Sequence, residues 1–159
     1  KEYFWSFLGA FMGIGIIAYI QSRYLLEVEN IFLIGSFGAS SVLVYGAINS
    51  PMAQPRNLLG GHLISALIGV SVAKWIPDIV WIEAPLAVAL SILAMQFTKT
   101  LHPPGGATAL IAIIGTSKIK ELGYYYALSP VLSGALILYL TALVFNNLTK
   151  HRSYPLKKR

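Results

Sequence analysis

Apolar residues run along this chain in long stretches that charged side chains interrupt only at intervals. Six stretches without Lys, Arg, Asp or Glu measure 20, 26, 17, 15, 18 and 28 residues, counted along the sequence. A helix needs about 20 apolar residues to cross a hydrocarbon core of about 30 Å. One such stretch is also typical of a buried helix in a soluble protein, but six in succession are not. The pattern therefore predicts an all-α integral membrane protein.

The same pattern predicts a compact bundle of about six apolar helical segments. They cover residues 3–21, 31–48, 57–75, 84–98, 104–116 and 128–148. The fourth and fifth are shorter than a full crossing, because about 15 residues rising 1.5 Å each cover only about 22 Å. We therefore expect 84–98 and 104–116 to be short or re-entrant. Irregular backbone at membrane depth is tolerated only inside protein or beside water, so the loop between them is where we expect a site.

Composition agrees with a membrane location, since 56% of the residues are hydrophobic and 11% are charged. Soluble domains carry about 25% charged residues. Much of the net charge of +6 lies in the last ten residues. We predict a transmembrane domain over 1–149 and a basic cytoplasmic tail over 150–159 that contacts lipid headgroups, not nucleic acid. The first segment does not resemble a cleaved signal peptide, and the start at Lys1 is compatible with a missing upstream leader.

The loop charges predict an orientation. Loops 22–30 and 76–83 are net acidic, whereas 49–56, 99–103 and the tail are basic. Because Lys and Arg stay on the cytoplasmic side, we expect both termini there, in a bacterial inner membrane or an equivalent membrane. The loop 117–123 departs from this pattern, since it carries Lys118 and Lys120.

Two connections contain paired prolines and lead into glycine pairs. Segment 50–57 precedes Gly60 and Gly61, and segment 101–104 precedes Gly105 and Gly106. We interpret this as a weak internal helix–proline loop–helix repeat with an offset of about 45 residues, although short apolar segments also resemble one another by chance. Interrupted hydrophobic segments at matching places in two halves are the sequence feature that best indicates a transporter site.

The residues around these helix starts favour a small anion. A helix N-terminus presents unpaired N–H groups and partial positive charge, and glycine allows a ligand to approach the backbone. No carboxylate lies between Glu29 and Asp78, or between Glu83 and Glu121. The predicted substrate-binding residues are Gln54, Arg56, Asn57, Gly60, Gly61, His62, Lys99, His102, Pro103, Pro104, Gly105, Gly106 and Thr108.

Each of these residues also has a structural interpretation. Arg56 and Lys99 could be interfacial charges that set orientation, and most of the glycines could be packing contacts. His62 could be a packing histidine and His102 a helix cap, while a histidine near neutrality could also couple transport to protons. A metal site at His62 and His102 lacks a third nearby ligand, so we expect no metal or other cofactor.

The run 101–110, LHPPGGATAL, resembles the signature of the HPP family of integral membrane proteins. The run 50–62, SPMAQPRNLLGGH, is similar to that family's second motif, and the resemblance covers about 35–148. The family is described as having four spanning helices. Its plant plastid and cyanobacterial members are implicated in nitrite transport, so the resemblance implies a nitrite-like anion.

The leading hypothesis is therefore a transporter or channel for a small inorganic anion, with nitrite favoured. Because six short segments can hardly enclose a wide pathway, we expect a homo-oligomer, with a dimer favoured. An alternative is a structural or sensory membrane module that binds a partner through its Pro/Gly loops. A membrane enzyme is disfavoured, since neither loop offers a carboxylate to orient a histidine as a base.

Overall fold

The computed structural model describes residues 2–24 and 33–156, and within them the chain forms only helices and turns. The α-helices are α1 (Glu2–Tyr24), α2 (Gly35–Ser41), α3 (Pro55–Trp75), α4 (Val80–Phe97), α5 (Pro103–Ile114), α6 (Ser117–Glu121) and α7 (Ser133–Phe145). Wider π-helical turns cover Val42–Gly46 and Ala127–Leu132, the second interrupted by the extended backbone of Ser129, and a 3-10 turn covers Pro51–Ala53. The predicted all-α bundle is confirmed.

Four of the described helical stretches are long and apolar enough to cross a membrane. They are α1, α3, α4 and the stretch Ala127–Phe145, which is kinked at Ser129. The helix α5 is apolar but has 12 residues. The number of candidate spans agrees with the four that the family resemblance implies.

Of the two segments that the sequence predicts to be short, only one is short in the structure. Segment 104–116 is short, as expected, but 84–98 belongs to α4, which begins at Val80 and has 18 residues. The charge of Glu83 suggested a loop, whereas the structure buries this residue in the first turn of the helix. The other short stretch is in 31–48, where α2 and its π turn end at Gly46, and residues 31 and 32 lie outside the described part.

Prolines determine where two of the helices begin. Pro55 and Pro103 occupy the first positions of α3 and α5, where the missing N–H would have no partner in the helix. The helix α4 ends at Phe97, two residues before Lys99, which has a left-handed backbone with φ 57°. After Lys99 the Thr100 N–H donates to Met95 O over 2.8 Å, which turns the chain back towards α5.

The helices pack in two groups that share α3 as a centre. The helices α3, α4 and α5 contact one another, α1 contacts α7, and α2 lies against α5. The main core contains Phe37, Tyr45, Leu58, Tyr126 and Leu138, all buried. At Gly69 a Cβ atom would lie 2.7 Å from Ala109 O, so α3 and α5 approach each other backbone to backbone.

One end of the bundle gathers the start of α1, both proline turns and the segment after α7. Arg152 Nη2 donates to Tyr45 O over 2.6 Å, and its Nη1 lies 3.6 Å from a carboxylate oxygen of Glu2. Tyr154 donates to Ala53 O over 2.7 Å, and burial raises the pKa of its hydroxyl. The start and the end of the described chain therefore share one end of the bundle, as the loop charges indicate. The membrane side that this end faces stays a prediction, as does the domain division at residue 149.

Candidate functional site

The two proline turns lie side by side at this end of the bundle. Asn57 Nδ2 donates to Leu101 O over 2.7 Å, and Arg56 Nη2 donates to Thr98 O over 2.8 Å. The starts of α3 and α5 therefore lie next to each other at the same end of the bundle. In the sequence, the end of α4 comes between them. The internal repeat predicts that the two proline turns lie together, and in the structure they are in contact.

A buried polar group lies where these turns meet α2. His62, on α3, and His102, just before α5, are both fully buried, and their ring centroids are 4.9 Å apart. Ser40 Oγ, on α2, lies 2.7 Å from His62 Nε2 and 2.9 Å from His102 Nε2. Thr108 Oγ1, on α5, lies 2.7 Å from His62 Nδ1. We call Ser40, His62, His102 and Thr108 the histidine cluster.

Donor and acceptor counting assigns the hydrogens in the cluster when both rings are neutral. Met52 O can only accept, so the His102 Nδ1 that lies 2.8 Å from it carries a hydrogen. His102 Nε2 then accepts the one hydrogen of Ser40, and Ser40 Oγ in turn accepts from His62 Nε2. His62 Nδ1 is left as the acceptor for the Thr108 hydroxyl. The four hydrogen bonds therefore run in one direction, from Thr108 to Met52.

Apolar and neutral groups enclose the cluster. The Phe37 ring lies edge-on to His62 with centroids 5.5 Å apart, and Tyr126 donates to Thr108 O over 3.0 Å. The elements α2 and α5 contain no charged side chain. Within the described residues, no group of three or more His, Cys, Asp or Glu could hold a metal ion. The cluster is a hydrogen-bonding site inside the bundle, and none of its four side chains is a carboxylate, a lysine or an arginine.

Three of the predicted site residues come together there: His62, His102 and Thr108. Gln54, Arg56 and Asn57 connect the loops around it instead. Gln54 Nε2 donates to Ile48 O and Ser50 O, each over 2.9 Å, and its Oε1 accepts from Leu156 N. The side chains of Arg56 and Lys99 are exposed.

Three of the four predicted site glycines lie where α3 closely approaches α5 or the turn before it. A Cβ atom at Gly61 would lie 2.5 Å from His102 Cβ, and one at Gly60 would lie 2.7 Å from Thr100 Cγ2. One at Gly105 would lie 2.7 Å from Ser65 Oγ. Gly106 is different, since the nearest atom to its added Cβ is Val88 Cγ1 at 3.8 Å.

Three N–H groups at the two helix starts have carbonyl partners. Gly105 N–H donates to His102 O, and the N–H groups of Asn57 and Leu58 donate to Gln54 O. Pro103 and Pro104 have no N–H to offer. An anion at these helix starts would therefore rely on side chains more than the sequence suggests.

Ser40 and Met52 O are the site groups that the sequence did not identify. Ser40 stands in an apolar segment next to Ser41, and no sequence motif distinguishes the two serines. Met52 contributes through its carbonyl group, which no side-chain pattern reveals.

A cavity of about 330 Å³ opens at the opposite end of the bundle. Its lining includes Lys74, Asp78, Glu83 and Lys120 among apolar residues of α3, α5 and α6. A second cavity, of about 540 Å³, lies at the end with the proline turns, beside Glu2, Ser50 and Arg152. Neither of the two is lined by His62 or His102.

Comparison with known proteins identifies the family. A model described as "HPP, transmembrane region" matches residues 1–155. The chain belongs to the HPP transmembrane family. Two curated relatives from Dictyostelium discoideum, each named only as a transmembrane protein, are 48% and 47% identical to it over 98% of this chain. The chain spans 55% and 50% of their lengths, and no solved structure matches this HPP protein.

Proposed function

We propose that this HPP protein is a transporter or channel for a small inorganic anion, with nitrite as the favoured substrate. The observation that supports this most is the histidine cluster, which is buried between two proline turns in a membrane bundle. Polar groups inside membrane proteins are expensive and are therefore usually functional. Four hydrogen-bonding side chains without a carboxylate among them suit a small anion better than a metal cation.

In this proposal the exposed charges attract the anion and the cluster passes it inwards. Arg56 and Lys99 raise its local concentration at the proline turns. His102, His62 and Thr108 then replace the water in its hydration shell by hydrogen bonds. These three side chains carry the recognition, and their hydrogen bonds to one another, to Ser40 and to Met52 O are exchanged for hydrogen bonds to the anion.

Nitrite is favoured because plant plastid and cyanobacterial HPP proteins are implicated in its transport. The names of the two Dictyostelium relatives state no substrate. The protein moves its substrate without converting it, so we propose no enzymatic activity. A homodimer is the favoured assembly, since four candidate spans leave little room for an enclosed path.

A flux assay in proteoliposomes tests the proposal. Nitrite, nitrate, formate and chloride are offered to wild type, to Arg56→Ala, to His102→Ala and to the control Lys150→Ala, whose lysine is exposed. We expect saturable nitrite entry in wild type and control, weaker entry with Arg56→Ala and little with His102→Ala. The proposal fails if no anion moves, or if His102→Ala transports as wild type does.

A further inference from the structure

The cavity at the end of the bundle opposite the proline turns is lined by charges of both signs. Lys74 and Lys120 contribute ammonium groups, and Asp78 and Glu83 contribute carboxylates. Its volume of about 330 Å³ lies at the lower end of the range for small-molecule sites, which is about 300–1,000 Å³. The cavity is therefore large enough for a small ligand that carries both a positive and a negative group.

The lysines and the carboxylates of this cavity do not neutralise one another. No ion pair joins either lysine to Asp78 or Glu83, all of which lie in the described part of the chain. Lys74 Nζ lies over the rings of Trp75 and Tyr124 instead, 5.9 Å and 5.5 Å from their centroids. Charges that line one cavity without pairing with each other are available to a ligand.

Glu83 is the buried member of this set. Its side chain is buried in the first turn of α4, whereas Lys74, Asp78 and Lys120 are exposed. The Oε2 atom of Glu83 has no hydrogen-bond partner among the described residues. A buried carboxylate oxygen without a donor is unfavourable, and such groups are rare in native proteins. An ammonium group would supply this oxygen with both an N–H donor and a positive charge.

We propose that this cavity binds the phosphoethanolamine group, with the ammonium at Glu83 and the phosphate at Lys74 and Lys120. The group occurs free in solution and also as the headgroup of the lipid phosphatidylethanolamine. The proposal goes beyond anion transport and is independent of it, because neither histidine of the histidine cluster lines this cavity.

The burial of the charges determines the orientation of the ligand. The ammonium enters first, since the buried charge is the carboxylate of Glu83, and the charged neighbours of that group are Asp78 and Lys120. The phosphate then stays at the mouth, where both lysines are exposed. In a lipid the second ester bond of the phosphate leads outwards from there to the glycerol, so one orientation suits the free compound and the headgroup alike.

A ligand of a single charge fits this cavity less well. A simple anion at the two lysines would leave Glu83 without a donor, and Asp78 would repel it. A metal cation would lack ligands, since the described residues contain no group of three or more His, Cys, Asp or Glu that could hold one. A zwitterion gives each sign of charge a partner and adds no net charge to the cavity.

Exposed aromatic residues at this end are typical of the headgroup layer. Trp75, Trp81 and Tyr124 are exposed, and Trp and Tyr favour the depth at which lipid headgroups lie. Ile79 and Val80 stand between the two carboxylates in the sequence and are exposed as well. The headgroup of a lipid would therefore meet the charges at its own depth, with apolar surface near them for its acyl chains.

Isothermal titration of the full chain in a nonionic detergent tests the site with four soluble probes. They are phosphoethanolamine, ethanolamine, inorganic phosphate and phosphocholine. We expect ethanolamine and phosphate to bind about tenfold more weakly than phosphoethanolamine, because each offers one charge. Phosphocholine should also bind about tenfold more weakly, since its quaternary ammonium has no N–H to donate to Glu83. Equal affinity for phosphoethanolamine and phosphocholine would overturn the proposal.

A lipid experiment distinguishes the two sources of the group. The full chain is placed in mixed micelles with equal amounts of phosphatidylethanolamine and phosphatidylcholine that have the same acyl chains, and native mass spectrometry counts the bound lipids. Enrichment of phosphatidylethanolamine without binding of the free compound identifies the lipid as the ligand. Binding of the free compound without enrichment identifies a soluble ligand, and the absence of both overturns the proposal.

Two matched pairs of variants locate the binding. Glu83→Gln is compared with Glu121→Gln, and Lys120→Gln with Lys118→Gln, because Glu121 and Lys118 do not line the cavity. We expect Glu83→Gln to weaken binding about tenfold, as loss of a charge-assisted hydrogen bond implies. Lys120→Gln should weaken it about threefold, since the lysine is exposed, and the two controls should bind as wild type does.

The outcomes for these variants separate this site from anion transport. Wild-type affinity in a folded Glu83→Gln would overturn the site, whereas nitrite flux would be unaffected by that result. If Glu83→Gln does not fold, the lysine pair and the four probes decide. If no anion moves in the flux assay, the phosphoethanolamine site still stands on its own measurements.

Discussion

The side-chain amide of Asn57 donates to the carbonyl oxygen of Leu101 over 2.7 Å and so connects two proline turns that lie 44 residues apart in the chain. The bond fixes the start of α3 against the turn that precedes α5. His62 and His102 follow these two positions by five residues and one residue, respectively. The relative position of the two histidines therefore depends in part on this amide.

We expect Asn57→Ala to lower the free energy of unfolding by about 1 kcal/mol, the usual net value of one such hydrogen bond. It should also reduce anion flux, because the two turns are no longer connected. Asn57→Asp should be worse, since a carboxylate would then face a carbonyl oxygen. Thermal unfolding in detergent and flux in proteoliposomes measure the two effects.

Asn147→Ala is the control for that variant. Asn147 Nδ2 donates to Leu143 O and Tyr154 O, far from the histidines in sequence. It should lose stability and keep the flux of the folded protein. Equal loss of flux in both variants would contradict the role given to Asn57.

Arg56 is exposed, so its contribution should be that of a surface charge. We expect Arg56→Ala to raise the KM for nitrite about two- to fivefold, as a loss of up to about 1 kcal/mol implies, with little change in kcat. Higher ionic strength should shrink the difference from wild type. Uptake kinetics at two salt concentrations measure this, and Lys150→Ala serves as the control. A large fall in kcat would place Arg56 in the pathway itself.

The sequence predicts the fold well because few physical alternatives exist in a membrane. Backbone groups in lipid must pair within a helix, so an apolar stretch of sufficient length has one outcome. The prediction for the start of α4 is wrong because the charge of Glu83 indicates a loop, whereas this residue lies in the first turn of the helix. Whether a carboxyl group at a helix start is buried depends on side chains from other helices, and the sequence of that helix alone does not identify them.

The site is predictable only in part. Proline and glycine patterns indicate the two turns, and the histidines stand next to them. The link between His62 and His102 is Ser40, and serines in apolar helices usually bond to their own helix, as Ser41 does. Helix rotation and packing decide which of the two serines faces the histidines, and neither follows from local sequence.

Gly61 allows α3 to touch the turn before α5. A Cβ atom there would lie 2.5 Å from His102 Cβ and 2.8 Å from Thr100 O, and Thr100 O is a backbone atom. We expect Gly61→Ala to destabilise the protein by about 2 kcal/mol, as overpacking usually does, and to abolish flux because His102 moves. Thermal unfolding and flux are the measurements.

Gly15→Ala is the matched substitution on α1, where nothing lies within 4 Å of the added Cβ. It should stabilise the helix by up to about 1 kcal/mol, since alanine loses less entropy on folding. Similar stability of the two variants would contradict the close contact between α3 and the turn before α5.

Arg152 holds the segment after α7 against the bundle. Its Nη2 donates to Tyr45 O over 2.6 Å and to Asn146 Oδ1 over 2.9 Å, and the residue is 4% exposed. We expect Arg152→Ala to cost about 3 kcal/mol, since it leaves two buried acceptors without this donor. Arg152→Lys should recover less than half, because an ammonium group cannot reproduce the planar fork. Lys150→Ala, at an exposed position, should stay within about 0.5 kcal/mol of wild type.

Lys99 allows the charge of a residue to be tested separately from its backbone. Its φ of 57° is a left-handed conformation that costs an L-residue with a Cβ about 1–2 kcal/mol, whereas glycine adopts it freely. Lys99→Gly and Lys99→Ala both remove the ammonium group, but only the glycine variant relieves the backbone. We expect the glycine variant to be more stable than the alanine variant by about 1 kcal/mol in thermal unfolding. If the charge of Lys99 attracts the anion, both variants should show the same moderate rise in KM; if the turn geometry matters more, flux should follow stability and differ between them.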